Sequence, residues 1–316
     1  MPTRHPTSVR PGPGHRGAAL GALVAVAALA VACSTAATPA AHPAGSPTVA
    51  AARSTPAYGP ATVSGPTPGD LEAVAAGRAF STDVQASTAS FVTAVAALQS
   101  DVTGGSLTAA RTDELAAQAA YDGFRDLQES NPINASSLDE LPGDVVPGES
   151  FGGLHAVERD LWTSGPLTTD VAALAAQAPA VPLLLGREHL GPEAIASVAV
   201  DQLTWADDQA LPVDQEPYSH LGLVDVDATV QAAATTFAAV APLAELVDPA
   251  RTAEVRARFA TLAAQIAALG PPGAAPESSI APSARLALSQ QLDATASMLA
   301  GLDAVLAPFG TEGPSS

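Results

Sequence analysis

The sequence predicts an all-α protein made of two antiparallel helical bundles, which follow a signal peptide and a disordered tether. Alanine supplies most of the hydrophobic residues, which make up 47% of the chain, whereas aromatic residues make up only 4%. Alanine is the best helix former and a poor strand former. Apolar residues recur at helical spacings, and few segments alternate as a strand would. We expect about eight helices, divided between bundles at residues 70–180 and 181–310, with a tail at 311–316.

The charge balance of the chain is strongly acidic. All 13 basic residues are arginines, against 32 acids, so the formal net charge is -19. Such a charge repels nucleic acid and anionic membrane surfaces, and it raises the local concentration of cations. Nucleic-acid binding is therefore excluded as a function.

The N-terminus has the order of segments that is typical of a lipoprotein signal peptide. Arg4, Arg10 and Arg16 precede an apolar stretch at residues 18–32, which ends directly before Cys33, the only cysteine. The stretch is short for a spanning helix, which needs about 20 residues. We predict that residues 1–32 are removed and that Cys33 is lipidated, which anchors the protein on the extracytoplasmic side of the cell membrane. The alternative is an ordinary signal peptide with an unrelated cysteine.

Replacing Cys33 by serine is expected to release the protein from the membrane fraction, because two acyl chains on one cysteine provide a firm membrane anchor. Fractionation of cells that express the parent and the variant measures this directly. The neighbouring Ser34→Ala variant is the control and is expected to stay membrane-bound. A Cys33→Ser variant that also stays in the membrane fraction would show that the anchor is something else.

The segment at residues 33–69 is rich in Pro, Ala, Ser, Thr and Gly and has almost no large apolar residues. Such a composition cannot bury enough surface to offset the entropy of ordering. We predict a flexible tether, extended by its prolines, and no folded N-terminal domain.

The first two helices are predicted to lie between Asp70 and Glu129. Apolar residues spaced by three, four and seven form one face of the first helix: Phe80, Val84, Phe91, Val95 and Leu98. The sequence TGGS at residues 103–106 ends this helix, and Ser106 caps a second one that runs to about Glu129. Three prolines then predict an irregular connection at residues 132–147.

The middle of the chain is predicted to hold three more helices. The first begins near Ser150, and two more span about 167–178 and 192–209. The stretch LPVDQEPYSHLGLVD at residues 211–225 is predicted to be a loop.

The C-terminal part is predicted to contain three long helices. One begins at about Asp225 and carries Pro242, which is expected to kink or end it. The next has Asp248 as its cap, Pro249 at its first position and Gly270 at its end. Leucines at helical spacing mark the last one: Leu288, Leu292, Leu299, Leu302 and Leu306.

One short stretch, GGLHAVERDLW at residues 152–162, carries candidate metal ligands. His155 and Glu158 are three residues apart, so they share one face of a helix. Imidazole nitrogen and carboxylate oxygen are ligands of transition metals. Spacing alone favours the alternative of a surface histidine beside a helix-stabilising acid. The chain has no His-Glu-x-x-His, so the usual zinc-protease helix is absent.

The surroundings of this pair resemble a known family. The stretch is similar to the Gly-x-His-x-x-Glu signature of imelysin-like proteins, and in particular to the GFHRIEKALW type of the EfeO and EfeM iron-uptake proteins. Arg159 stands in place of the usual lysine. The residues that match are Gly153, His155, Glu158, Leu161 and Trp162.

Two further stretches extend the resemblance to roughly residues 70–308. Residues 215–233 resemble the family sequence EERYSHTDLWDFQANVDGA, although Gly222 and Val224 replace an aspartate and a tryptophan. The residues that coincide there are Glu216, Tyr218, Ser219, His220, Leu223 and Asp225. Residues 119–135 are similar to PYERIEPVAEAFGDLDPAIDA. In that stretch Tyr121 and the acid Glu129 match, Asp122 stands for a glutamate and Arg125 departs from an acid.

The resemblance implies a two-bundle helical fold with a metal site around the His-x-x-Glu helix. The EfeM-like form, which lacks a cupredoxin domain, fits this chain better than the EfeO form. His155 and Glu158 are the predicted ligands, joined by Asp122 and Glu129 from the preceding helix. The further candidates are Glu216, His220 and Asp225.

The predicted function is that of an extracytoplasmic lipoprotein that captures iron, or another divalent or trivalent cation, for an EfeUOB-type uptake system. The predicted cofactor is iron or another transition metal, zinc and copper included. The resemblance implies an iron permease and a haem peroxidase-like protein as partners. Two alternatives remain open, an imelysin-type zinc metallopeptidase and a non-catalytic binder of extracellular polymer or of a partner protein. A catalytic zinc needs three protein ligands, an open position and a base, and the sequence offers no convincing base.

Overall fold

The computed structural model describes residues 65–127, 138–143, 145, 148, 150–186 and 189–309. The predicted signal peptide, Cys33, most of the predicted tether, Glu129 and the tail lie outside the described residues. The described residues from 65 onward belong to one compact unit, residues 62–316.

The predicted all-α class is confirmed, because the described residues form helices and turns and contain no strand. Within the described part of the chain, eight α-helices have ten or more residues and two more are shorter. They are α1 (Pro68–Gly104), α2 (Leu107–Asp122), α3 (Gly153–Trp162), α4 (Leu167–Gln177), α5 (Val181–Leu185), α6 (Pro192–Trp205), α7 (Leu223–Val247), α8 (Pro249–Leu269), α9 (Pro282–Ala300) and α10 (Asp303–Leu306).

The first helix has well-defined ends. Thr67 is its N-cap and forms a capping box with Asp70, in which each side chain accepts from the other residue's backbone N–H, at 3.2 and 2.7 Å. Pro68 occupies the first turn, so α1 begins slightly before the predicted Asp70. It ends at Gly105, whose φ of 77° is left-handed and favours glycine. The predicted break at residues 103–106 is confirmed.

The second helix is shorter than predicted. The expectation that it reaches Glu129 is wrong, because α2 ends at Asp122 and a 3-10 turn follows at Arg125–Leu127. At the helix end Gly123 lies so close to α1 that a Cβ there would meet the Ser87 hydroxyl at 3.0 Å. Phe124 then turns inward. Its ring packs edge-on against Phe91 and Tyr121, with ring centroids 5.6 and 5.4 Å away.

The later helices follow the sequence signals with two differences. The 192–209 helix is α-helical only to Trp205 and continues as a π-helical turn, Ala206–Ala210. The helix α7 does not end at Pro242 but continues through it to Val247. Asp248 caps α8 as predicted, since its carboxylate accepts from the Arg251 N–H at 3.0 Å.

The core is shared by helices from both halves of the chain. The predicted apolar stripe of α1 is buried along its length. This long helix packs against α2 and α4, which come before residue 180, and also against α6 and α7, which come after it. The division into two bundles at residue 180 stays a prediction. The arrangement brings the ends of α2, α3 and α7 together.

Three helical stretches are long and apolar enough, by length and composition alone, to cross a membrane: Leu167–Leu185, Leu223–Val247 and Pro282–Phe309. Each of them supplies residues to the core, for example Leu174, Phe237 and Leu292. Half of the most apolar window of α7 is buried inside the protein. The apolar character of α7 therefore has a structural use within the helical core.

Candidate metal centre

The His-x-x-Glu pair points into the protein. Gly153 starts α3 with a left-handed φ of 77°, a conformation that favours glycine. His155 and Glu158 lie on the face of α3 that packs inward, and their exposed fractions are only 2% and 0%. The alternative of a surface histidine beside a helix-stabilising acid is therefore wrong.

A third residue, Glu216, completes a triad of possible donors. It comes from the loop before α7 and is fully buried. His155, Glu158 and Glu216 each offer one ligand atom, and these atoms lie within 4.8 Å of one another. Each residue also has a buried atom without a hydrogen-bond partner, namely Nδ1 of His155, Oε2 of Glu158 and Oε1 of Glu216. Because unpaired buried polar atoms are costly, this donor set fits a cation.

The imidazole is oriented by an acid that sequence reasoning missed. Asp139 Oδ1 lies 3.1 Å from His155 Nε2. The other ring nitrogen, Nδ1, faces Glu158 Oε2 at 3.5 Å, which is too long for a good hydrogen bond. A carboxylate on the outer nitrogen is the usual partner of a metal-binding histidine. Asp139 lies within the stretch predicted as an irregular connection, residues 132–147, where no pattern marks it as a site residue.

The second resembling stretch holds the carboxylate of Glu158. Its Oε1 accepts from the backbone N–H groups of Tyr218 and Ser219, at 3.1 and 2.6 Å. The Ser219 hydroxyl lies 3.5 Å from Glu216 Oε2. The loop before α7 therefore fixes one oxygen of Glu158 and leaves the other to the triad.

Three more acids line the cluster, and all are fully buried. Asp122 and Asp225 are predicted candidates that lie beside the triad, whereas Glu114 on α2 was not predicted. Both oxygens of Glu114, both of Asp225 and Oδ2 of Asp122 lack a hydrogen-bond partner. Glu114 lies eight residues before Asp122, on the same face of α2. This spacing is the sequence signal that could have identified Glu114 as a site residue.

Asp122 is partly neutralised by a cation of the chain itself. Arg125 Nη1 donates to Asp122 Oδ1 at 3.0 Å, and Arg125 Nε donates to Asp126 at 3.2 Å. The guanidinium stacks on Trp205, 3.2 Å from the ring centroid. One oxygen of Asp122 is therefore occupied, and the other faces the cluster.

The structure places His220 outside this cluster. Its side chain is 58% exposed, and its Nδ1 lies 2.5 Å from Asp214 Oδ2. The predicted candidate is therefore not brought to the buried donors. Glu129, the remaining predicted ligand, lies outside the described residues.

Burial raises the pKa values of the acids in this cluster. Burial raises the pKa of Asp122 to about 8, although Arg125 lowers it. Burial and the charge of Glu158 raise the pKa of Glu114 well above its ordinary value. Burial likewise raises the pKa values of Glu216 and Asp225 well above normal, with further increases from neighbouring carboxylates. Protons and metal ions therefore compete for these carboxylates.

The pKa of the imidazole is also raised. Burial lowers the pKa of His155, but the carboxylates of Asp139 and Glu158 raise it, and the net effect lies well above its ordinary value. A metal ion at the triad would take the place of the proton on Nδ1. Metal binding therefore releases protons from both the histidine and the acids.

The comparison with known families agrees with this geometry. The Imelysin (Peptidase_M75) family model matches residues 78–307, which include every donor described above. The chain belongs to the imelysin family. No significant match was found among curated proteins.

The donor set of this imelysin defines the chemistry that it can support. One imidazole nitrogen with two carboxylates suits a borderline transition metal, and the surrounding oxygens add preference for hard cations such as ferric iron. The candidate ligands lie on α3 and on the loop before α7, while the acids of α2 surround them. The imelysin site therefore depends on contacts between segments about 60 residues apart.

Proposed function

We propose that this imelysin is an extracytoplasmic lipoprotein that captures iron, or another transition metal, for an EfeUOB-type uptake system. The observation that carries the proposal is the buried triad of His155, Glu158 and Glu216, with donor atoms within 4.8 Å of one another. A buried histidine oriented by an outer carboxylate is the arrangement of a metal ligand, not of a solvated side chain.

The acidity of the chain supports capture of a cation from dilute solution. The formal net charge of -19 raises the cation concentration near the surface. Competition between protons and metal for the same carboxylates makes capture reversible, because binding weakens as pH falls. A carrier that must release its ion to a partner needs such reversibility.

The partners are proposed from the resemblance to the EfeO and EfeM proteins. An iron permease would receive the ion, and a haem peroxidase-like protein would act with it. Lipidation of Cys33 would keep the carrier beside such a permease. The lipoprotein-like order of residues 1–33 supports this placement.

Metal analysis of the purified protein tests the proposed function. After incubation with iron, zinc or copper and removal of free ion, we expect about one tightly bound ion per chain for a single triad. His155→Ala is expected to lose it, whereas His189→Ala, which alters an exposed histidine, is expected to keep it. Unchanged metal content in His155→Ala would instead support a non-catalytic binder of polymer or of a partner protein.

The same preparation separates capture from catalysis. Glu158 and Glu216 are fully buried, so within the described residues the triad is not exposed to a peptide at the surface. We therefore expect no zinc-dependent cleavage of a protein substrate. Cleavage that requires zinc and is abolished in Glu158→Gln would support the metallopeptidase alternative.

A further inference from the structure

The burial of the triad requires a route by which an ion reaches it. The loop at residues 211–222 and the segment at 270–281 lie together over the N-terminal end of α7. They are joined where the Glu277 N–H donates to the His220 carbonyl at 2.8 Å. Neither segment is part of an α-helix, so an opening here breaks no α-helical hydrogen bond.

Glu277, in the segment at 270–281, has one buried carboxylate oxygen without a hydrogen-bond partner. Its Oε1 accepts from Arg285 Nη1, which also donates to the Leu211 carbonyl at 2.5 Å. Arg285 Nη2 donates to the carbonyl of Glu277 at 3.0 Å. Glu277 is only 5% exposed, yet its Oε2 has no hydrogen-bond partner. Arg285 thus fixes the side chain and leaves one buried oxygen free.

The free oxygen faces a gap beside Gly222. A Cβ atom on Gly222 would lie 2.8 Å from Glu277 Oε2 and 3.9 Å from Asp225 Oδ2. Two buried carboxylate oxygens therefore lie within 4 Å of one point next to the Gly222 backbone. Neither oxygen of Asp225 has a hydrogen-bond partner. The absence of a side chain at Gly222 keeps this point free.

On its outer side Glu277 lines a surface pocket of about 390 Å³. Asp214 and the exposed His220 lie in the same pocket, together with Arg285. On its inner side the gap lies against Asp225. Glu216 of the triad lies in the same loop, six residues before Gly222, and its carbonyl accepts from the His220 N–H at 2.7 Å. Glu277 thus borders both the pocket and the gap.

We propose that cations enter the buried centre past Gly222, through an outer binding position between the carboxylates of Glu277 and Asp225. The inference rests on the proposed function, since it concerns the way in which the same centre is loaded. Glu277 and Asp225 offer carboxylate oxygens at the outer position, so it takes a hard divalent or trivalent cation with little selectivity. The nitrogen-containing triad then provides the tighter site.

Stopped-flow binding of Co²⁺ to the full chain tests this route, with the fluorescence of the two tryptophans as the signal. Gly222 has φ −53° and ψ −11°, so Gly222→Ala fits the backbone, and its Cβ, 2.8 Å from Glu277 Oε2, takes the space beside that oxygen and pushes it aside. It is expected to slow association and dissociation by the same factor, about tenfold, with Kd within about twofold. Glu277→Gln keeps an acceptor for Arg285 and is expected to slow association by about tenfold through lost attraction. Gly104→Ala is the matched control, because a Cβ there meets nothing within 4 Å.

The outcomes separate the route from the function. If the parent binds Co²⁺ and both variants associate at the parent's rate, the route past Gly222 is overturned while metal binding stands. If Gly222→Ala raises Kd as much as it slows association, the residue shapes the inner site and the route is likewise overturned. If the parent binds no Co²⁺, iron or zinc, the proposed function fails and this inference fails with it.

Discussion

Replacing Glu158 by glutamine is expected to abolish most of the rise in melting temperature that metal causes, while the metal-free protein stays folded. Glutamine keeps the shape of the side chain, and its amide oxygen still accepts from the N–H groups of Tyr218 and Ser219. The variant loses the anionic oxygen that faces His155 Nδ1 at 3.5 Å. In the parent, metal at a hundredfold excess over Kd stabilises the fold by about 2.7 kcal/mol.

Thermal unfolding with and without Fe²⁺ or Zn²⁺ measures this effect. Glu245→Gln is the matched control, since that side chain is 54% exposed and pairs only with Arg256 at the surface. The control is expected to respond to metal as the parent does. A Glu158→Gln variant with the same metal response as the parent would show that the His-x-x-Glu pair is structural, and the proposed function would lose its main support.

The metal-free protein is expected to lose stability as pH rises from about 5 to about 8, which is the reverse of ordinary acid denaturation. Carboxylates in the unfolded chain ionise near pH 4. In the folded protein Asp122 holds its proton to about pH 8, and the pKa values of Glu114, Glu216 and Asp225 are also raised. The folded state therefore binds more protons than the unfolded state in this window, so stability falls as these groups ionise. His155, whose pKa is raised, acts in the same direction.

Each such group lowers the free energy of unfolding by up to about 1.4 kcal/mol per pH unit between its unfolded and folded pKa values. Several groups together therefore give a steep loss of stability as pH rises. Metal should reverse the trend, because binding displaces the same protons and tightens as pH rises. Unfolding in denaturant at a series of pH values, with chelator or with metal, measures both slopes.

Glu114→Gln isolates one member of this set. It removes a fully buried acid with two unpartnered oxygens, so the metal-free variant is expected to be more stable than the parent at pH 8 and to have a shallower pH slope. Glu254→Gln changes an exposed acid on α8 and is expected to leave the slope unchanged. A parent whose metal-free stability rises between pH 5 and pH 8 would contradict the protonated cluster.

The helices were predictable because their signals are local. Apolar residues at helical spacing marked the buried face of α1, and Asp248 with Pro249 marked the start of α8. The end of α2 was not predictable in the same way. It is set by contact of Gly123 with α1 and by burial of Phe124 against Phe91, both of which join residues far apart in sequence.

The His155–Glu158 pair at the centre of the candidate site was predictable, but many of the residues around it were not. The spacing of His155 and Glu158 placed both on one helix face, and the resemblance added Glu216, Asp122 and Asp225. Nothing in the sequence distinguished His220, which lies at the surface, from Glu216, which lies in the triad. The two residues are only four apart in one loop, and side-chain direction in a loop follows no fixed period.

The sequence by itself determined the helical class, the acidic charge and the helix face that carries the His-x-x-Glu pair, because composition and periodicity are properties of short stretches. Only the tertiary structure decided which acids meet that face. Asp139 reaches the imidazole from the stretch predicted as an irregular connection, and Glu277 approaches Asp225 across Gly222 from a segment more than 50 residues further along the chain. These contacts depend on how the helices pack, because packing alone brings distant carboxylates to one place and removes water from between them.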